Sequence, residues 1–285
     1  MVSRARCAIL VPLLLLGCET TERPLITPTP FARADDLTTT RVHGGNNGLE
    51  VVHWTAPCDA THAANTLKHH GQGGTLPIET IERLRRNGFV VAEIQTETLP
   101  TVLADLGGTL SDIRNWHGQV PEWRELLRAS VGPGVAVYTG ERVAPVSGGA
   151  IRLSMRGWTV PMEDGGLFWL ELIPHAVTSE SAAATAVASR DRLRGEPFAD
   201  GGLSVVLDHG WSLLLAPDPL PPREPVSTGP AAEPPATLGA LLLPCEDLPP
   251  VSDRPRQQRT PVVVLIARIP DAVVPIPEAA SGGGS

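Results

Sequence analysis

Proline and glycine decide where this chain can form regular structure. The 285 residues include 29 prolines and 28 glycines, and neither type continues a helix or a central strand well. They are bunched. Residues 217–235 carry eight prolines in nineteen positions. No sheet tolerates that density, so an exposed excursion that contributes no core is expected there. Residues 244–261 read as a second such loop. The apolar runs left between them are short, and none reaches the roughly 20 residues of a membrane-spanning helix. At 42% hydrophobic and 19% charged, the chain is too apolar for a wholly disordered protein and too polar for a multispanning one. A formal charge of -8 and a pI near 5.5 argue against nucleic acid as a partner.

Periodicity divides the rest. Asn47 to Cys58, with Leu49, Val51, Val52 and Trp54, reads as a strand, and 59–75 as a polar, Gly-rich loop. Ile78, Ile81 and Leu84 fall at helical spacing before Asn87-Gly88. Phe89 to Ile94 is a β-branched strand. Leu99, Val102, Leu103 and Leu106 mark a second helix. Val120, Trp123 and Leu127, around Pro121, mark a third. From Gly134 the period becomes two. Ile151, Leu153 and Met155 face one way and Arg152, Ser154 and Arg156 the other, which is the pattern of a half-buried antiparallel strand. Leu167 to Ile173 pairs with it as a hairpin across 163–166. Leu203–Leu207 and Trp211–Ala216 flank Asp208-His209-Gly210 as a further hairpin. Leu238 to Leu243 and Val262 to Ile269 are the remaining apolar runs. The expected fold class is α+β: a small mixed α/β module at 47–130, then a mostly antiparallel β-domain at 134–270, with a disordered tail at 271–285.

The N-terminus carries the most specific pattern. Arg4 and Arg6 precede an apolar run from Ala8 to Leu16, too short to span a membrane, as in a secretory signal. The run ends Leu15-Leu16-Gly17-Cys18, which resembles the lipobox of bacterial lipoproteins. That resemblance implies a signal peptide at 1–17 and a diacylglyceryl thioether and fatty acids such as palmitate on Cys18. It also implies a membrane partner reached through the lipid. Two or more acyl chains anchor stably, where one does not. Glu19, rather than Asp, leans by the family's sorting rule toward the outer membrane. Residues 18–46, rich in Pro, Thr and charge, then read as a tether.

Catalytic patterns fail on geometry. Asp208 and His209 are adjacent in a turn, where they cannot form the hydrogen bond of a triad. Ser204 lacks the glycine that a nucleophile elbow needs two residues on. His62, His69 and His70 lie near one another, but no Cys pair or carboxylate completes a zinc set. Gly71 to Gly74 fit no phosphate loop. The six tryptophans (54, 116, 123, 158, 169 and 211) fall in expected strands and helices, where core use is expected. No catalytic residue, cofactor or metal ligand is therefore assigned.

A wider resemblance covers 134–270. Gly148-Gly149-Ala150-Ile151-Arg152-Leu153, Pro161, Asp164-Gly165-Gly166 and Leu170-Glu171-Leu172-Ile173-Pro174-His175 are similar to the strand plan of a secretin-like β-domain. His209 to Leu215 and Leu238-Gly239-Ala240-Leu241 follow in order. The Asp-Ile-Pro segment of that family is absent, and the Pro-rich 217–235 stands in place of its membrane-lip hairpins. The resemblance implies a role in envelope assembly.

With Cys7 in the signal and Cys18 lipidated, Cys58 and Cys245 remain, an even number in an exported chain. They are a candidate disulfide. The function expected from these features is a non-enzymatic envelope lipoprotein, an interaction or structural component with a protein partner. An extracytoplasmic hydrolase with a site assembled from distant residues is the alternative. The arrangement of His53, His117, His175 and His209 separates the two.

Overall fold

A computed structural model describes residues 47–162, 165–177, 195–219, 235–247 and 258–269. Cys18, the signal, the tether and the tail lie outside these residues, as does 220–234 of the Pro-rich stretch. In chain order the elements are β1 (Gly48–Ala56), α1 (Ala60–His70), α2 (Ile78–Arg86), β2 (Phe89–Gln95), α3 (Leu99–Asp105), β3 (Ser111–Gly118), β4 (Val120–Val131), β5 (Val135–Tyr138) and β6 (Val143–Val146). Then come β7 (Gly149–Met162), β8 (Gly165–Val177), β9 (Glu196–Pro197), β10 (Leu203–Leu207), β11 (Trp211–Pro217), β12 (Ala236–Thr237), α4 (Leu238–Leu242), β13 (Glu246–Asp247) and β14 (Gln258–Arg268).

The fold is mostly antiparallel sheet with a few short helices. A six-stranded sheet runs β2-β11-β14-β1-β3, with β13 against the start of β14. A five-stranded sheet runs β10-β8-β7-β4, with β9 beside β8. β12, β5 and β6 form a small third sheet, in which β12 and β5 are parallel.

Three layers result. In β1, Leu49 and Val51 face the five-stranded sheet, while Val52, Trp54 and Ala56 face α1 and α3. In β14, Val263, Leu265 and Ala267 face one way and Val262, Val264 and Ile266 the other. The middle of the six-stranded sheet is thus buried on both faces. The five-stranded sheet supplies Ile151, Leu153, Met155, Phe168, Leu170, Leu172, Leu203, Val205 and Leu207 to the inter-sheet core. Each such side chain contributes about 1.5–3 kcal/mol of burial.

The α2 C-terminus ties distant segments together. Asn87 is fully buried, and its Nδ2 donates to the carbonyls of Arg83 and Asp200 at 2.9 and 3.0 Å. Arg83 Nη1 donates to the carbonyls of Asp200 and Gly202. Arg85 pairs with the buried Asp218 at 3.1 Å, and the Asp218 N–H donates to the Gly88 carbonyl. Gly88 has φ +83°, and a Cβ there would overlap Thr237. Pro217 and Asp218 are buried, so the stretch 217–235, read as an exposed excursion that contributes no core, is packed at its first end.

The structure corrects several readings. The third helix is a strand, β4. It carries register shifts between Val120 and Arg124 and between Glu125 and Leu127. Extra residues at bulges break the two-residue alternation and leave apolar residues at helix-like spacing. The loop at 59–75 contains α1, capped by Asp59, whose carboxylate accepts from the His62 N–H at 2.7 Å. The runs around Asp208-His209-Gly210 are not a hairpin: β10 joins the five-stranded sheet and β11 the six-stranded one. Leu238–Leu242 is helical. The second loop is shorter than 244–261, because Glu246–Asp247 and the residues from Gln258 are strand. The β7–β8 hairpin forms as expected, but Gly165 and Gly166, placed in its turn, belong to β8, and the ladder runs from Met162 opposite Gly165 to Ala150 opposite Val177. The segments 47–130 and 134–270 do not each close a sheet of their own. β1 pairs β14, β2 pairs β11 and β4 pairs β7, so both large sheets draw strands from both.

Candidate functional site

The outward face of the five-stranded sheet is the most chemically organised surface. Alternation in β7 and β8 sends Arg152, Ser154, Arg156 and Trp158, and Trp169, Glu171, Ile173 and His175, away from the inter-sheet core. Register then sets the pairs. Arg156 lies opposite Glu171, which lies opposite Ser204 of β10. Trp158 lies opposite Trp169 and Arg152 opposite His175.

These pairs are in contact. Arg156 Nε donates to Glu171 Oε2 at 2.7 Å. The Arg156 guanidinium sits 4.6 Å from the Trp123 ring centroid and 5.3 Å from that of Trp169. Trp169 and Trp158 have centroids 4.3 Å apart. Arg152 Nε is 2.9 Å from Glu125 Oε2. A planar guanidinium between two aromatic faces gains cation–π attraction that grows as water is excluded. Burial pushes the Glu171 carboxyl above its ordinary range, against the pull of Arg156. Burial likewise holds the His175 imidazole below the ordinary histidine range. Ser204 Oγ and Trp158 Nε1 are buried without a hydrogen-bond partner among the described residues.

The histidines do not form one cluster. His53 and His117 are neighbours, both lowered by burial, and His117 also feels Arg124. His175 is on the outward face of β8. His209 lies in the β10–β11 turn, its Nδ1 3.0 Å from the Ile269 carbonyl. Asp208 accepts from the His209 backbone N–H at 2.8 Å. His62 and His70 tie α1 to α3: their Nε2 atoms lie 2.7 Å from the Asp105 carbonyl and carboxylate respectively. Among the described residues no three His, Cys, Asp or Glu side chains converge to hold a metal. A cleft of about 590 Å³ lies between Arg142–Ser147 and Gly195–Phe198.

Four of the six tryptophans differ from the core use expected of them, and Trp54 meets it. Trp54 is buried between β1 and the helices. Trp123, Trp158 and Trp169 build the outward cluster, and Trp116 is half exposed on β3. The outward cluster was readable from the β7–β8 register; what hid it was the helical reading of β4, which removed Trp123.

Cys58 and Cys245, 187 positions apart in sequence, come to one place. The Thr260 hydroxyl donates to the Cys58 carbonyl at 2.7 Å and lies 3.8 Å from Cys245 Sγ. Both are free thiols in the structure. Burial raises both, Cys58 to about 11, and each sulfur also feels acidic neighbours, Cys58 feeling Cys245 as well. Among the described residues, no helix is long and apolar enough to cross a membrane. No protein-family model, curated protein or solved structure matches this chain.

Proposed function

We propose that this chain is an exported envelope lipoprotein, held by lipid on Cys18 at the outer membrane, that acts by interaction rather than by catalysis. The observation that carries the export reading is the meeting of Cys58 and Cys245 at Thr260. Two thiols brought to one neighbourhood from 187 residues apart can bridge in an oxidising compartment, and both are free in the structure. Bridging removes one proton from each thiol and passes two electrons to a disulfide donor, which leaves as two thiols. Such a bridge would join the end of β1 to the segment of β13. In the chain-entropy model so long a loop is worth at most about 5 kcal/mol. The lipobox-like Leu15-Leu16-Gly17-Cys18 supports the anchor. The exposed edge strand β3, with Ile113 and Trp116 open to solvent, supports the interaction role.

Fractionation of cells fed labelled fatty acid tests it. Wild type should enter the membrane fraction with label, and Cys18→Ser should lose both. Denaturing alkylation of the wild-type protein should find no free thiol at Cys58 or Cys245. Equal labelling of wild type and variant, or two free thiols, would contradict the reading.

A further inference from the structure

The edge of the six-stranded sheet points to a specific partner. β3 is its last strand, and among the described residues nothing pairs with the side of β3 turned away from β1. An edge strand offers a row of backbone donors and acceptors, and charge usually guards it. Here the guard is incomplete. Leu110, Ile113 and Trp116 are 52%, 56% and 50% exposed. Leu110 already extends the ladder, its N–H donating to the Thr55 carbonyl at 2.8 Å.

The two charges between these apolar residues select an occupant. Asp112 and Arg114 lie opposite Trp54 and Val52 and so share the helix-side face of the sheet. Arg114 is 3.0 Å from Asp112 and 3.6 Å from Glu50. Two antiparallel copies of one strand, related by a two-fold axis through the sheet, must centre on a residue so that opposite side chains share a face. Centring on Asp112 sets carboxylate against carboxylate, and centring on Arg114 sets guanidinium against guanidinium. Centring on Ile113 sets Asp112 of each copy against Arg114 of the other. It also sets Ile113 against Ile113, Ser111 against Asn115 and Leu110 against Trp116.

We propose that β3 pairs antiparallel with β3 of a second copy of this chain, in the register centred on Ile113, so that two six-stranded sheets join edge to edge. The affinity comes from backbone hydrogen bonds and the burial of Leu110, Ile113 and Trp116. The two Asp112–Arg114 pairs fix the register more than they add strength. This deepens the interaction role proposed above and does not depend on the anchor.

Sedimentation velocity of the full-length chain in detergent, with reductant present to exclude cross-linking through Cys245, tests the pairing. Wild type should show a concentration-dependent dimer. Asp112→Arg and Arg114→Asp, each alone, oppose like charges in this register and should weaken it by roughly tenfold or more. Their one-to-one mixture sets Arg against Asp on both sides and should restore a heterodimer, and the double variant D112R/R114D should restore the homodimer. Circular dichroism melts of each variant verify folding, and the mixture provides the answer even if one variant is destabilised. A monomer at every concentration, whether the edge is bare or covered by another segment or protein, would overturn the proposal. So would a dimer indifferent to both substitutions, or one that the mixture fails to restore. A membrane-bound monomer would overturn the pairing while leaving the anchor standing; a soluble dimer would do the reverse.

Discussion

The two large sheets solve burial differently. The middle of the six-stranded sheet is covered on both faces, by α1 and α3 on one side and the five-stranded sheet on the other. The five-stranded sheet has one face in the core and turns the other outward with arginine, tryptophan and carboxylate. Their sequences show it. β14 runs Pro261-Val-Val-Val-Leu-Ile-Ala267 and β11 runs Ser212-Leu-Leu-Leu-Ala216, without alternation. β7 alternates through Ile151-Arg-Leu-Ser-Met-Arg156. A strand with polar side chains on one face writes its orientation into the sequence, and one apolar on both faces does not.

Truncation in the doubly covered sheet should give the largest effect. Leu265, in β14, has no exposed surface. Leu265→Ala should cost about 3 kcal/mol, within the usual range for a buried leucine. Ile173→Ala, on the outward face of β8, should cost about 1 kcal/mol or less, its site being half-buried and open to relaxation. Urea denaturation of both variants measures the contrast. Equal losses would mean that the outward face is packed as tightly as the core.

The polar cluster should come next. The Arg156 and Glu171 side chains are 14% and 7% exposed. Arg156→Ala strands a buried carboxylate and should cost about 2–3 kcal/mol. Arg156→Lys keeps the charge but loses the planar stack on Trp123 and Trp169, and should fall between. In R156A/E171Q the second substitution should recover part of the loss, which a double-mutant cycle reads directly.

The smallest effect is with pH. His175 is almost fully buried, with Arg152 opposite it, and its folded-state affinity for protons is depressed from 6.5. The unfolded chain therefore binds more protons below about pH 6.5, and stability should fall as pH drops through that range. His53 and His117, on the other sheet, act in the same direction. Glu171 acts oppositely. Its folded pKa is raised from 4.5, so its protonation should return some stability just above that value. His175→Gln should flatten the upper part of the melting-temperature profile, and Glu171→Gln the lower part.

What the sequence revealed follows the same division. The β7–β8 hairpin and its outward arginines were legible, because alternation and a turn mark them together, but Gly165 and Gly166 pair in β8 rather than turning, which shifts the register by two residues. The strands of the six-stranded sheet were legible as strands, but their partners were not. Uniform apolar runs carry no facing, and β1 meets β14 across most of the chain. β10 and β11 looked like one hairpin because the turn between them is a good one. The signal against it was the contrast between alternating Leu203-Ser-Val-Val-Leu207 and uniform Ser212-Leu-Leu-Leu-Ala216. α1 was hidden by its polar surface, though Asp59 as a cap and Ala63, Ala64 and Leu67 at helical spacing were present. The outward cluster was half legible: Arg156 was seen facing out, but Trp123 was lost to the bulged β4.

The six-stranded sheet draws β1, β2 and β3 from residues 47–130 and β11, β13 and β14 from beyond, which should make the chain one cooperative unit. Residues 47–130 alone contain β1 without the β14 that separates it from β11, and β2 without β11. Thermal unfolding of that fragment beside the full-length chain, followed by circular dichroism, is the direct measurement. The full chain should show one sharp transition and the fragment no cooperative transition. A cooperative melt of the fragment on its own would contradict this.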